Sequence, residues 1–591
     1  ALFLSRLRNV PDFEVGLLRA EFMLGNVGVH PAALEAFDNG DLERLTQKKI
    51  AELDSKLRKT IREQLDAGLV SLDLRLREHV GNITGFSEEL EKLGKKDDLR
   101  NPEEIMAVYR RMREVEKLLD EYTERAARFY EVLETSADLA EHVRVIMGYD
   151  TELANLTGDS AEVKERRAAI EKEINDQVSY AALNPAVQET LRLITALRED
   201  VGARCGLAKE IAALRSIPGK IGKLIRARGH KNGHDHYVQT LAQGLALFST
   251  AFYGKPIVYR TTDFKTNEYR NLLGGILFEE HEDNPMLGYR GVSRDIHDWE
   301  IEAFKLARAA YGATNLQLML PFVRTLEQAR AMRAYLDTVH NLRTGEDGLK
   351  IILMSELPSN AILARQFIQE FDGFSIGSND MTQMVLATDR DNGSLAHIYD
   401  EEDPAVVWAI LVTIFTGQKY GKKVGFCGQG VANSEVLRGV VAISGITSAS
   451  VVPDTYYRTK QDFAAIEAQN LSAADLGRWL AEQHQAKLVK LLEANGRADA
   501  AKLAGDPKKI RAWYDAEAAR LHAELRDSLD GSRENAARKA LKTFRAMFHK
   551  PVIYAAWNWN DTVEDALHQA GFTSFKEQAA ALIEQRKKLS H

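Results

Sequence analysis

Apolar positions along the chain change period twice, and those changes divide it. The opening residues carry an apolar run, EVGLLRAEFML, with Arg19 and Glu21 towards its end. From about 40 to 230 apolar residues recur every three or four positions among Leu, Glu, Lys and Arg, as in LERLTQKKIAELDSKLRKTIREQL, the mark of amphipathic helices. Breaks near Asn101-Pro102, Gly148, Asn184-Pro185 and Pro218-Gly219 predict helical hairpins with coiled-coil character. From about 236 short apolar runs alternate with helical patterns. Strands are expected at KPIVYR, LQLMLPFV, LKIILMSELP, GFSI, KKVGFCGQG and ITSASVVPD, with LGYR as a further short candidate. Such alternation predicts a parallel sheet, and the count predicts an α/β fold of the (β/α)8 TIM-like barrel type. Helical periodicity returns beyond 460, where four of the six tryptophans lie: Trp479, Trp513, Trp557 and Trp559. Tryptophans at helical spacing read as core. The expected domains are therefore 1–40, the start of a barrel; 41–232, a helical insertion; 233–460, the rest of the barrel; and 461–591, a helical C-terminal domain.

Composition narrows the function classes. The chain has 591 residues, is 45% hydrophobic and 28% charged, and carries a net charge of −8 with both signs interspersed. That balance argues against a nucleic-acid or polyanion binder. Cys205 and Cys427 are the only cysteines and form neither a metal-ligand spacing nor a disulfide framework, which fits a reducing cytoplasm. Cys205 reads as a small buried apolar residue. No apolar run reaches the roughly 18 residues of a membrane helix. The basic stretch KIGKLIRARGHKNGHDH fits an anion site or, more simply, a solvated helix end and loop.

The chemistry concentrates where strands are expected to end. GFSI breaks at Gly377-Ser378 and presents Asn379 and Asp380, with Arg390 ten residues beyond Asp380. By itself this is equally a strand-to-helix turn capped by Ser378, Asn379 or Asp380. Arg19, Arg260, Glu356 and Cys427 close other expected strands, and Arg290 lies in an adjoining loop. Convergence at the C-terminal mouth of a barrel would bring two carboxylates to several guanidinium groups. Carboxylates with substrate oxygens make a Mg²⁺ site, and arginines grip phosphate. A cysteine there would exchange protons at carbon, its pKa lowered by neighbouring arginines. These residues reach phosphoryl chemistry on a metal-bound small anion without naming the substrate.

VGLLRAEFML, IVYRTTDFKTNEYRNLLGG, NPMLGYRGVSR, LMLPFVRTLEQA, SELPSNAILARQF, GFSIGSNDMTQMVLATDRDNG and GFCGQG, in that order, resemble the C-terminal PEP/pyruvate-binding barrel of phosphoenolpyruvate (PEP) synthase, pyruvate, water dikinase. Pyruvate, phosphate dikinase and enzyme I of the sugar phosphotransferase system are more distant in pattern. The resemblance implies Mg²⁺ on Glu356 and Asp380. It implies a phosphoryl group held by Arg19, Arg260 and Arg390 with Asn379 assisting, and Arg290 among the substrate-binding arginines. It implies a substrate carboxylate met by the backbone near Met381, and Cys427 as the acid or base at the methyl carbon. The family's ATP-binding domain and its phosphohistidine in a Gly-Gly-x-Thr-x-His setting are not found in these residues. The chain is therefore expected to be a fragment or to receive those parts from elsewhere. A homodimer is expected by analogy, with neither nucleic acid nor membrane as partner. Alternatives that stay open are a dikinase or enzyme I-type acceptor, and a non-catalytic PEP/pyruvate-sensing scaffold that binds partners through its helices.

Overall fold

The structure, a computed structural model, describes residues 10, 13–64, 163–166, 168–170, 172, 213–291, 298–390, 392–527 and 531–589. It divides into two compact units, residues 35–227 and residues 1–34 with 228–591. In the first, helices Leu42–Gln64 and Ile217–Ala227 bury Leu42, Ile50, Ile221 and Ile225. Cys205 and the expected breaks at 101–102, 148 and 184–185 lie outside the described residues, as does most of the expected coiled coil.

The second unit contains a parallel sheet of seven strands in sequence order: β1 (Val15–Arg19), β2 (Ile257–Arg260), β3 (Leu316–Leu320), β4 (Ile351–Ser355), β5 (Gly373–Ile376), β6 (Lys423–Phe426) and β7 (Ser448–Ala449). The register places Arg19 beside Arg260 and Ile376 beside Phe426, so the C-terminal ends of the strands share one rim. The sheet nearly closes. A Cβ on Gly16 of β1 would lie 2.0 Å from the Ser450 hydroxyl just past β7, an approach that only glycine permits. Leu17, Val258, Met319, Ile352, Met354 and Cys427 fill the interior, while Tyr259, Leu318, Leu353, Phe374 and Phe426 pack outward beneath the helices.

Several expected boundaries move. The run EVGLLRAEFML is strand only to Arg19, and Glu21–Val27 is helix, ended by Gly28 at φ 73°. The turn is held by Glu21, whose carboxylate accepts from Arg260 (2.7 Å) and from the Asp263 amide (2.9 Å). LGYR lies in turns and bends, and ITSASVVPD contributes only the two residues of β7.

The C-terminal helices belong to the barrel's unit. Pro404–Lys419 is apolar nearly all round and, Trp408 apart, buried from Val406 to Gln418, because its outer face is covered in turn by Trp559–Gln569 and Phe575–Leu589. Polar seams fix that packing: Gln578 donates to Gln418 (2.5 Å), and Gln418 donates to the Ser444 carbonyl (2.6 Å). Trp559 and Trp479 are core residues at 1% and 7% exposure, whereas Trp557 is 45% exposed. Trp479 rests on Gly439, where a Cβ would come 1.8 Å from the indole. The variant Gly439→Val is therefore expected to destabilise the fold by about 1–3 kcal/mol through overpacking. Denaturant unfolding followed by tryptophan fluorescence reads this, and an unmoved midpoint would show that the contact is not formed.

Candidate active site

Residues at or just past the ends of β1, β2, β4, β5 and β6 share one rim, and the rim surrounds a cavity of about 220 Å³. Arg19, Arg260, Arg290, Glu356, Asn379, Asp380, Arg390 and Cys427 all line it. Met381 does not. It is fully buried against Ala361 and Ala409, and its amide donates to the Gly377 carbonyl (3.0 Å), leaving no donor for a substrate carboxylate. Glu21, noted in the sequence beside Arg19, joins the lining, as do Asp263, Lys265 and Gln383, which were not among the expected site residues.

At the centre, Asp263, Glu356 and Asp380 each offer an oxygen within 4.8 Å of the others. Two arginines offset part of that charge. Arg290 donates to both oxygens of Asp263 (3.2 and 2.8 Å) and to Asp380 (2.9 Å). Arg260 is paired with Glu21 at 2.7 Å and Asp263 at 3.3 Å. Burial opposes both guanidinium charges, but the surrounding carboxylates outweigh it and hold both pKa values above normal. Glu356 is fully buried. One of its oxygens accepts from the Phe322 amide (2.6 Å), and the other has no partner among the described residues. Burial, reinforced by Asp380 and Asp263, pushes its pKa well above the carboxylate range. A buried carboxylate oxygen without a donor, beside two more carboxylates, fits a hard divalent cation. Glycine makes the space: a Cβ on Gly377 would fall 2.9 Å from that same Glu356 oxygen.

The turn after β5 is not capped by its own side chains. Helix Ser378–Val385 begins after Gly377 with no side-chain cap, and Ser378 instead donates to Glu401 (2.5 Å). Asn379 and Asp380 are thereby left facing the cavity.

Cys427 follows β6 and is 8% exposed. Arginines were expected to lower its pKa. Burial prevails over Ser375, Arg260 and Arg19, and the thiol is pushed up to about 11. At neutral pH it is a stocked proton donor.

Phe322 gave no sequence signal. Its φ of 53° lies in the left-handed region, which is costly for a bulky residue. That strained backbone points its amide at Glu356, while its ring lies 3.9 Å from the Arg290 guanidinium carbon and 4.7 Å from that of Arg324. Gly291, at φ 57°, admits it: a Cβ there would lie 2.6 Å from the Phe322 Cβ.

Residues 223–468 match the family described as PEP-utilising enzyme, PEP-binding domain. From residue 228 onward that match lies within the unit that carries the barrel. The chain is similar to the phosphoenolpyruvate synthases of Escherichia coli K12 (44% identical over 247 residues, 41% of this chain and 31% of the relative) and Pseudomonas aeruginosa UCBPP-PA14 (42% over 260 residues, 42% and 33%). That of Helicobacter pylori 26695 is 41% identical over 248 residues, 41% of this chain and 30% of the relative. The chain thus spans about a third of the length of these curated relatives. The family match begins after Arg19 and Glu21, so those two join the matched residues through the fold.

Beneath the rim, Glu300 supports the loop that carries Asp263. It accepts from the Tyr259 hydroxyl (2.6 Å) and the Thr262 amide (3.0 Å), and burial raises its pKa to about 7. Because the folded value is the higher one, the folded state holds a proton that the unfolded chain releases. This contribution is complete below the ordinary carboxylate value of about 4.5 and is lost as pH rises through about 7. Glu300→Gln, which keeps the acceptor without the charge, is expected to flatten this part of the stability–pH curve. Urea melts across that window check it, and parallel curves for both proteins would contradict it.

Proposed function

We propose that the barrel performs the PEP/pyruvate half-reaction of a PEP synthase-like phosphotransferase. A phosphoryl group passes between a phosphohistidine and the enolate oxygen of pyruvate. With an ATP-binding partner the overall conversion is ATP, pyruvate and water to AMP, PEP and phosphate. The phosphohistidine and ATP-binding domains are taken to lie on other segments or another chain. The observation that carries this reading is the single cavity in which a carboxylate cluster faces Arg19, Arg260 and Arg390 with the Cys427 thiol alongside.

Glu356 and Asp380 would hold Mg²⁺, with Asp263 beside them, and the ion would stabilise negative charge on the substrate's enolate and phosphoryl oxygens. Arg19, Arg260 and Arg390 bind the phosphoryl oxygens, with Asn379 assisting. Positioning and charge account for most of such a transfer. Arg290 orients Asp263 and Asp380 and remains within reach of the substrate. In the direction of pyruvate, phosphoryl loss from PEP leaves an enolate, and the Cys427 thiol protonates its methylene carbon. In the direction of PEP, the Cys427 thiolate removes a methyl proton, the enolate oxygen attacks phosphorus, and the histidine nitrogen departs.

A second reading has one observation in its favour. The family match is confined to 223–468, while a separate unit, 35–227, lies largely before it in sequence and further helices follow beyond 468. Such a chain would sense PEP or pyruvate and report it to partners.

Exchange of pyruvate methyl protons in deuterated water, with Mg²⁺ present, separates the two. The half-reaction requires exchange that is abolished in Cys427→Ala and that accelerates from neutral to mildly alkaline pH, as the thiolate fraction of a high-pKa thiol grows. PEP binding with no exchange would favour the sensor, and exchange that survives Cys427→Ala would remove the cysteine from the chemistry.

A further inference from the structure

The helices beyond the family match end next to the active site, and one short segment connects the two. Residues 398–403 lie between the Arg390 loop and helix Pro404–Lys419. Side chains of this segment face two ways. Towards the cavity, the Glu401 carboxylate accepts from Ser378 (2.5 Å), and the Tyr399 hydroxyl donates to the Asn379 carbonyl (3.4 Å). The same Glu401 oxygen also sits where a Cβ on Gly430 would approach to 2.8 Å, so it touches the loop after Cys427 as well. Those two loops are themselves in contact, since the Gln429 amide reaches the Asn379 side chain at 3.4 Å.

On the other side, the C-terminal helices take hold. Lys550 donates to the Ile398 carbonyl (3.0 Å) and pairs with Asp400 (3.1 Å). Tyr554 donates to Asp400 (3.1 Å) and Asp403 (3.3 Å). Lys487 binds both oxygens of Glu402 (2.8 and 2.7 Å). These donors are themselves fixed: His484 stacks on Trp559 at 4.9 Å and meets the Tyr554 ring edge-on at 5.3 Å.

We propose that residues 398–403 form a strut through which the C-terminal helices hold the loops bearing Asn379 and Cys427, with Glu401, Lys487, Lys550 and Tyr554 as positioning residues. A displacement of about 1 Å at such a loop costs a phosphoryl-transfer site much of its rate, so the helices tune the chemistry without touching the reacting atoms. The geometry stands by itself. Its consequence for PEP rests on the function proposed above.

Hydrogen exchange of the full chain without ligand tests the strut directly. In the variant Lys487→Ala/Lys550→Ala/Tyr554→Phe, peptides spanning 377–381 and 428–430 are expected to exchange about tenfold faster, while β3 and β4 keep their parent rates. Restoring Lys487 as Arg should recover part of the protection. The variant Glu401→Ala cuts the strut from the inner side, leaves the helices docked, and should loosen the same two loops, so the proposal stays open to refutation if the triple variant does not fold. Unchanged exchange in those loops in Glu401→Ala overturns it. Equilibrium dialysis with labelled PEP and Mg²⁺ is expected to show affinity about tenfold weaker in Glu401→Ala than in the parent. Failure of the parent itself to retain PEP would count against the proposed function, with the exchange result still deciding the strut.

Discussion

The structure depends on a crowding of like charge. Asp263, Glu356 and Asp380 arrive from three separate strand ends and stand within one coordination sphere of each other. Left bare in a buried site, three carboxylates repel by more than any single hydrogen bond returns. The surrounding fold is arranged to tolerate them. Arg290 bridges two, Arg260 bridges outward to Glu21, and the amide of a strained Phe322 binds the third. Even so, one Glu356 oxygen has no donor. The residual charge is what a cation and a phosphorylated anion would neutralise together.

The same constraint shows why particular glycines stand where they do. Gly377 leaves room beside the Glu356 carboxylate, Gly291 admits Phe322, and Gly428 lets Ser378 approach. None of these contacts is local in sequence. Together they set the height of the rim on which Asn379, Asp380 and Cys427 sit.

Much of this rim is legible in the sequence, because a polar residue closing a short apolar run is conspicuous. Arg19, Arg260, Glu356 and Cys427 close such runs, and Asp380 follows one after a glycine break. What is not legible depends on convergence. Asp263 reads as one polar residue in a loop of several until the fold brings it to Glu356 and Asp380. Glu21, beside Arg19, reads equally as part of a barrel mouth or as half of a surface pair until Arg260 arrives from another strand. Phe322 reads as the tail of a strand, because an amide's direction leaves no trace in residue type. The Cys427 pKa was misjudged because neighbouring charges can be guessed from composition, whereas depth of burial comes only with the packed barrel. The amide of Met381 is spent on Gly377, because the chain already turns helical at Ser378. The apolar helix 404–419 likewise makes sense only once the C-terminal helices are seen to cover it.

The claim on which the rest stands is that this rim holds a divalent cation and a planar enolate together. Crystals grown with Mn²⁺ and oxalate, a dianion shaped like the enolate of pyruvate, measure this directly. An anomalous peak between Glu356 and Asp380, with oxalate completing its coordination, is the predicted result. Mn²⁺ bound elsewhere, or oxalate absent from a metal-loaded site, would contradict it.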